Sequence, residues 1–379
     1  MLTAPPGTPG KHRATVVRRR LWTSGLAAAL IGAGLVTPWL TGPQAASAVP
    51  PGAEQARAAR PATSTTPAPA TTAGTTAPAS SAPASDTPAG PAPAGTADNP
   101  LAGMTFHGLN TGAVQAAAQP DRTPDDAAAL AELASVPTAT WLGVWSGDVT
   151  AAASRAVADA RAVGAIPVLV VYNVPDRDCG GHSAGGAGSS AAYLRWVQAV
   201  ATGIGDGTAV VVLEPDALAQ LCGDAAERLE LLRSAVSRLE QNPGTHTYLD
   251  AGHPEWLDAA TVADRLRAAG VAEADGFALN VSNFVTTASN VAYGQQVSAL
   301  LAGAHFVVDT SRNGNGTGAD WCNPSGRAVG ERPTARTGHP GVDAFLWVKR
   351  PGESDGACNG GPAAGTFWPS YAIALVRGA

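Results

Sequence analysis

The chain is short of basic and of aromatic side chains, and both shortages are informative. Its 379 residues carry 24 Lys and Arg against 30 Asp and Glu, a formal charge of −6, and only 5% are Phe, Trp or Tyr. Nucleic-acid binding draws mainly on basic surface, which this chain lacks, so no nucleic-acid partner is expected. Cysteine is scarce as well: Cys179, Cys222, Cys322 and Cys358 are the only four, and none of the seven histidines joins them at short spacing. That pattern argues against a zinc centre, and neither a metal nor a cofactor is expected. The Gly-rich run Arg312–Gly318 opens no helix and so does not read as a phosphate cradle. His182 and Ser183 lack the elbow that surrounds a nucleophilic serine.

The one long apolar run lies near the start. Lys11, His12, Arg13 and Arg18–Arg20 precede an apolar segment from Leu21 to about Leu40, and Ala46-Ser47-Ala48 follows as a small-residue cleavage site. Residues 1–48 therefore read as a secretory signal, with the arginine run pointing weakly to the twin-arginine route, and the mature chain is expected outside the cell with no membrane partner. These residues hold one Lys, four Arg and no acid, so the remainder carries 19 basic against 30 acidic residues, a charge of −11. Residues 49–98 are almost wholly Ala, Pro, Thr, Ser and Gly, which cannot bury a core and read as an extended linker.

The foldable part, 99–379, suits one α/β barrel. Short Val-, Ile-, Leu- and Phe-rich runs alternate with amphipathic stretches, the order of repeated βα units. Seven strands are predicted: Thr138–Val144, Ile166 onward, Ala209 onward, Thr245–Leu249, Gly276–Leu279, His305–Val308 and Ala344–Val348. Helical spacing of Leu and Val predicts helices over Ala191–Ile204 and Ala225–Leu239. The expected fold is a modified TIM-like barrel of about seven parallel strands in a single domain, and a monomer.

Two strand-like runs lead into acids, one into Asp178 and the other into Glu214-Pro215-Asp216. At the carboxyl ends of parallel strands such groups converge on the ligand cleft, and two converging carboxylates are what glycosidic-bond hydrolysis requires. Partial burial after an apolar strand would raise Asp216 and suit it to donate a proton; its bland alternative is a helix cap. Asp178 follows Arg177, so a plain ion pair is its alternative. Lys349, Glu353 and Asp355 follow the last strand, and alone would read as a solvated charge cluster. Trp141, Trp145, Trp256, Trp321 and Trp347 lie at or near strand ends or in the loops beyond them, where rings either pack or stack on sugar faces. The four cysteines allow three pairings; a Cys179–Cys222 bridge would staple the two acid-bearing loops, and Cys322–Cys358 would do the same farther on.

The ordered set Tyr172-Asn-Val-Pro-Asp-Arg177-Asp178-Cys179, Leu213-Glu-Pro-Asp216, Asp250-Ala-Gly-His253, Asp309-Thr-Ser-Arg312-Asn-Gly-Asn-Gly and Trp347-Val-Lys-Arg-Pro-Gly-Glu353 closely resembles glycoside hydrolase family 6, the cellulases. The resemblance runs from about Pro100 to the C-terminus. It implies a modified β/α barrel that hydrolyses β-1,4-glucan with inversion. It further implies Asp216 as general acid, Asp178 as a nearby modulating carboxylate and Asp355 as a base or sugar binder. Tyr172 would lie beneath the distorted sugar, with Trp141, Ser183, His253, Trp256, Asn280, Trp321, Lys349 and Glu353 along the glucan, and the disulfides would be Cys179–Cys222 and Cys322–Cys358. Two departures stand out: the opening Met104–Thr111 lacks the usual Tyr-Val-Asx-Pro, and one extra residue separates Asp355 from Cys358. Short loops favour an endoglucanase over an exo-acting cellobiohydrolase, and the retained acids argue against a non-catalytic glucan-binding protein.

Overall fold

The computed structural model describes residues 99–379, so the expected signal and linker lie outside the described residues. Eight strands occur in chain order: β1 Phe106–His107, β2 Thr140–Leu142, β3 Ile166–Val171, β4 Ala209–Leu213, β5 Thr245–Asp250, β6 Gly276–Leu279, β7 His305–Asp309 and β8 Val342–Leu346. Every pairing is parallel, in the order β1-β3-β4-β5-β6-β7-β8, with β2 also on β3. The helices are α1 Thr111–Ala117, α2 Pro124–Ala134, α3 Val149–Ala162, α4 Ser190–Ile204, α5 Ala217–Gln220, α6 Ala225–Leu239, α7 Ala259–Ala268, α8 Thr287–Leu300 and α9 Pro369–Arg377.

The strands are short runs of β-branched and apolar residues buried on both faces, as a parallel sheet under helices demands. Successive side chains point to opposite faces, and the burial divides accordingly. Val168, Val170, Tyr172, Val210, Val212, Tyr248, Ala278, Val307 and Leu346 form one cluster, inside the barrel. Their alternates Leu169, Val171, Val211, Leu213, Leu249, Phe277, Leu279, Phe306 and Val308 form a second, under helices such as α4 and α6. Those two helices begin where Ser189 and Asp224 accept from Ala192 N and Glu227 N, each satisfying a first-turn N–H.

No ladder joins β2 to β8, so the barrel is modified at this seam. It is bridged instead by Ala139 N to Trp347 O (3.0 Å), Trp141 Nε1 to Val348 O (2.8 Å) and Arg350 Nε to Ala139 O (3.1 Å). The predicted strands are present with shifted ends, and β1 is an eighth, too short for its periodicity to register. β8 starts at Val342 because the buried Asp343 inside it is satisfied by Tyr248 Oη (2.7 Å) and His305 Nδ1 (2.7 Å). An acid in that position breaks an apolar pattern. Among the described residues no helix is long and apolar enough to cross a membrane.

Phe277 and Phe306, neighbours on β6 and β7, stack with centroids 5.1 Å apart and no exposure. Phe277→Ala removes a ring from the closed outer core and is expected to cost about 3–5 kcal/mol, read as a lowered urea midpoint with unchanged slope.

Candidate active site

The loops leaving the strands at their carboxyl ends enclose a cavity of about 610 Å³ that contains Tyr172, Asp178, Asp216, Lys349 and Asp355. A second cavity of about 560 Å³ shares Trp141, Tyr172, His182, Ser183 and Lys349 with the first and adds Trp145, Arg177, Arg350 and Glu353, so the two form one groove. Several residues here take the left-handed conformation that side chains disfavour: Asp178 (φ 59°), Glu214 (φ 49°), Asp216 (φ 70°) and Ser282 (φ 60°). Such strain persists only where surroundings over-determine it, and it gathers at functional sites.

The Glu214-Pro215-Asp216 turn sends its two acids in different directions. Glu214 is buried and accepts Asn173 N (2.9 and 3.1 Å) and Val174 N (3.1 Å). Asp216 lies in the cleft. It stands at the N-cap of α5 without capping it, which removes the helix-cap alternative. Its own N–H donates to the buried Asp250 Oδ2 (2.8 Å), and neither of its carboxyl oxygens has a hydrogen-bond partner among the described residues. Burial first, then the charge of Asp178, pushes this carboxyl up to about 7, Asp355 adding to the rise and Lys349 opposing it.

Asp178 sits seven residues beyond β3, in a loop tied to the Asp216 loop by the Cys179–Cys222 disulfide. The alternative reading, an ion pair with Arg177, is not what forms. Arg177 turns away to the carbonyls of Tyr172 (2.9 Å), Ser183 (2.7 Å) and Ala184 (3.2 Å), and its guanidinium lies over the Tyr172 and Trp145 rings. Asp178 accepts instead from Ser183 N (2.7 Å) and Gln220 Nε2 (3.3 Å), so Ser183 reaches the site through its backbone.

Asp355 enters the cleft despite the extra residue before Cys358, and it is no solvated charge. It accepts from Arg312 Nη1 (2.9 Å) and Asn323 N (3.0 Å), with Lys349 Nζ 3.5 Å away. Burial would raise this carboxyl, but Arg312 and Lys349 outweigh it and hold it below the ordinary carboxylate value. The Cys322–Cys358 disulfide braces the same loop. His182 approaches those two sulfurs, yet sulfurs joined to each other offer no thiolate for a metal.

The aromatics separate by exposure. Trp321 (61%), Trp145 (55%) and Trp256 (37%) stand open on the groove, and Trp141 meets Tyr172 edge-on at 5.2 Å. Trp347 is core, its indole N–H given to Glu331 O. His253 lies 5.7 Å from Trp256, its imidazole held below the usual value by burial. Glu353 lines the second cavity, paired with Arg350 (3.0 Å). Asn280 corrects the sequence reading: it is fully buried, donates to Asp309 O and Val285 O and accepts from Val285 N, so it shapes the loop and does not face the groove. Glu214, Asp250, Gln220 and the buried Arg312 were not singled out for these contacts; the first two carried a signal as acids ending apolar strands.

Fold and cleft together define a class: a parallel β/α barrel with a carboxylate-floored, aromatic-walled groove at its strand ends, the arrangement of polysaccharide hydrolases. Comparison with known proteins makes this particular. The family described as "Glycosyl hydrolases family 6" matches residues 105–379, and the chain belongs to it. It is 52% identical over 258 residues to Endoglucanase A of Cellulomonas fimi, covering 67% of this chain and 57% of that protein. It is 49% identical over 265 residues to Endoglucanase 1 of Streptomyces halstedii, covering 66% and 82%. The endoglucanase Cel6 of Mycobacterium tuberculosis, solved with a methyl-cellobiosyl-thio-cellobioside, superposes with a TM-score of 0.70 at 43% identity, covering 74% of this chain and 99% of that one.

Removing Arg312 would leave Asp355 buried beside Lys349 alone. Arg312→Met is expected to cost about 3–5 kcal/mol at neutral pH. Because the folded Asp355 value is depressed, the pair's contribution is complete above about pH 4 and is lost as pH falls through that lowered value. Denaturant curves should therefore show wild type and variant converging in acid.

Proposed function

We propose that this chain is an exported endo-β-1,4-glucanase that cleaves internal bonds of cellulose or related β-glucan with inversion, Asp216 acting as general acid. The observation that carries this reading is the state of Asp216: half-buried, in the cleft, free of partners among the described residues and raised to about 7. It holds a proton near neutral pH and can deliver it to the leaving oxygen. An inverting reaction then needs water on the opposite face of the sugar. Asp178, which accepts only from neutral donors among the described residues, is the carboxylate suited to orient that water or relay its proton. Asp355 is held as an anion by Arg312 and Lys349 and is a poor proton acceptor; its part is to steady the positive charge developing on the ring and to bind hydroxyls. The Tyr172 phenol, its ionisation opposed by burial, stays protonated beneath the sugar.

The endo reading is supported by the relatives named endoglucanases and by short loops over the cleft. The segment between Cys322 and Cys358 is pinned by its disulfide, and Arg177 holds the Ser183 and Ala184 carbonyls back against its own loop. Export is supported by residues 1–48 and by four cysteines paired in two disulfides.

On soluble carboxymethyl cellulose, viscosity is expected to fall well before reducing ends accumulate, and Asp216→Ala to abolish both. Reducing ends without viscosity loss would mean exo action; no release at all would leave a glucan-binding protein. The rate should also decline as pH rises through about 7, where Asp216 loses the proton it must donate, toward tenfold per unit beyond. A pH profile of kcat on a soluble oligosaccharide measures this limb, and activity unchanged to pH 9 would rule out Asp216 as the acid.

A further inference from the structure

We propose that Glu214 and Arg228 are positioning residues that set the separation of Asp178 from Asp216. The proposal rests on the roles given to those two acids above. Neither Glu214 nor Arg228 lines the large cavity that holds them.

The two acids stand on different loops, one leaving β3 and one leaving β4, and each loop is strained. Asp176, Asp178 and Cys179 are left-handed in the first, and Glu214, Asp216 and Leu221 in the second. Strain of that density relaxes unless something holds it. Glu214 reaches from the second loop to the first and accepts Asn173 N and Val174 N. Arg228, buried on α6, donates Nη2 to Pro175 O at 2.7 Å and to Cys222 O at 3.2 Å, one carbonyl from each loop. Residues 173–175 are thus gripped by their amides from one side and by a carbonyl from the other. The Cys179–Cys222 disulfide closes the far end, so Asp178 is bracketed between Pro175 and Cys179.

The chemistry of the two groups fits a positioning task. A buried carboxylate and a buried guanidinium are costly to keep, and an apolar pair would fill the same space. A carboxylate accepts two adjacent amides at once through its two oxygens, and Arg228 Nη2, with two N–H donors at the end of a long side chain, reaches one carbonyl on each loop. Glu214 is itself two residues from Asp216, so the group that holds the first loop is covalently attached to the acid in the second. A displacement of about 1 Å at reacting groups can cost up to about 10²-fold in rate, which gives such a clamp a measurable catalytic consequence.

The test uses the full chain on a soluble cello-oligosaccharide. Glu214→Gln keeps size and one acceptor; Arg228→Lys keeps charge but not the two-carbonyl reach. Each is expected to lower kcat about tenfold or more with KM within twofold. Each should also move the alkaline limb of the kcat profile to lower pH. Asp216 faces Asp178, Asp355, Asp250, Lys349 and the Tyr172 phenol, and of the acids and the lysine only Asp178 would be released from its place. A merely structural role would lower the melting temperature and leave that limb where it was. Folded Glu214→Gln with kcat within twofold of wild type overturns the proposal, and so does a fall in kcat matched by a rise in KM with an unmoved limb. If Glu214→Gln does not accumulate folded, Arg228→Lys is judged by the same criteria. A wild-type chain inactive on β-glucan would instead overturn the functional reading on which the clamp depends.

Discussion

Three buried acids at or beside strand ends hold the mouth of the barrel together, each by accepting backbone N–H groups from a loop next to its own. Glu214, just beyond β4, takes Asn173 and Val174 from the β3 exit. Asp250, ending β5, takes Asp216 from the β4 exit. Asp309, ending β7, takes Ser282 from the β6 exit and Val348 and Lys349 from the β8 exit. Sharp turns over a closed core leave amides away from water, where an unpaired donor is costly. A carboxylate accepts several such donors at once. The left-handed turns at Asp216, Asn280 and Ser282 persist within this mesh of contacts, and the groove takes its outline from them.

The same physics distributes protons. Burial pushes Asp250 and Asp309 upward, and N–H donors pull each partly back. Asp216 feels burial and the like charge of Asp178 with no donor on its carboxyl, and remains raised to about 7. Asp355 is buried too and ends on the other side of its ordinary value, because Arg312 and Lys349 stand against it. One residue type in one mouth is thus driven to either side of its ordinary value, by burial, peptide N–H groups, cations and other acids in different proportions.

Much of this was legible in the sequence, and the boundary of legibility has a physical cause. Short apolar runs marked the long strands, and helical spacing marked α4 and α6, because these patterns are local. β1 escaped because two residues carry no period, and the start of β8 because Asp343 is paid off by partners nearly 40 and 95 residues away in sequence. Acids at the strand ends pointed to the cleft, but which way each acid faces depends on the turn. Glu214 and Asp216 are two residues apart, and one binds a neighbouring loop while the other faces substrate space. Asn280 was misread for that reason: its motif resembles a ligand position, while its side chain is consumed by Val285 and Asp309. Arg177 beside Asp178 likewise left an ion pair open, but Asp176 and Asp178 on either side of it are left-handed and the guanidinium goes to carbonyls instead.

The tryptophans carry the last step. All five considered in the sequence lie near strand ends or in the loops beyond them, and position alone does not divide them. Exposure does: Trp347 is sealed in the core, whereas Trp145, Trp256 and Trp321 keep large apolar faces in water along the groove. Trp256 and Trp321 stand with the acids in the larger cavity, and Trp145 stands in the smaller, beyond the shared Trp141 and Tyr172. Apolar rings are therefore available both beside the acids and past the residues that join the two cavities. Sugar units present apolar faces that stack on such rings, so a groove walled on both sides of Tyr172 is shaped for an extended ligand rather than a single ring.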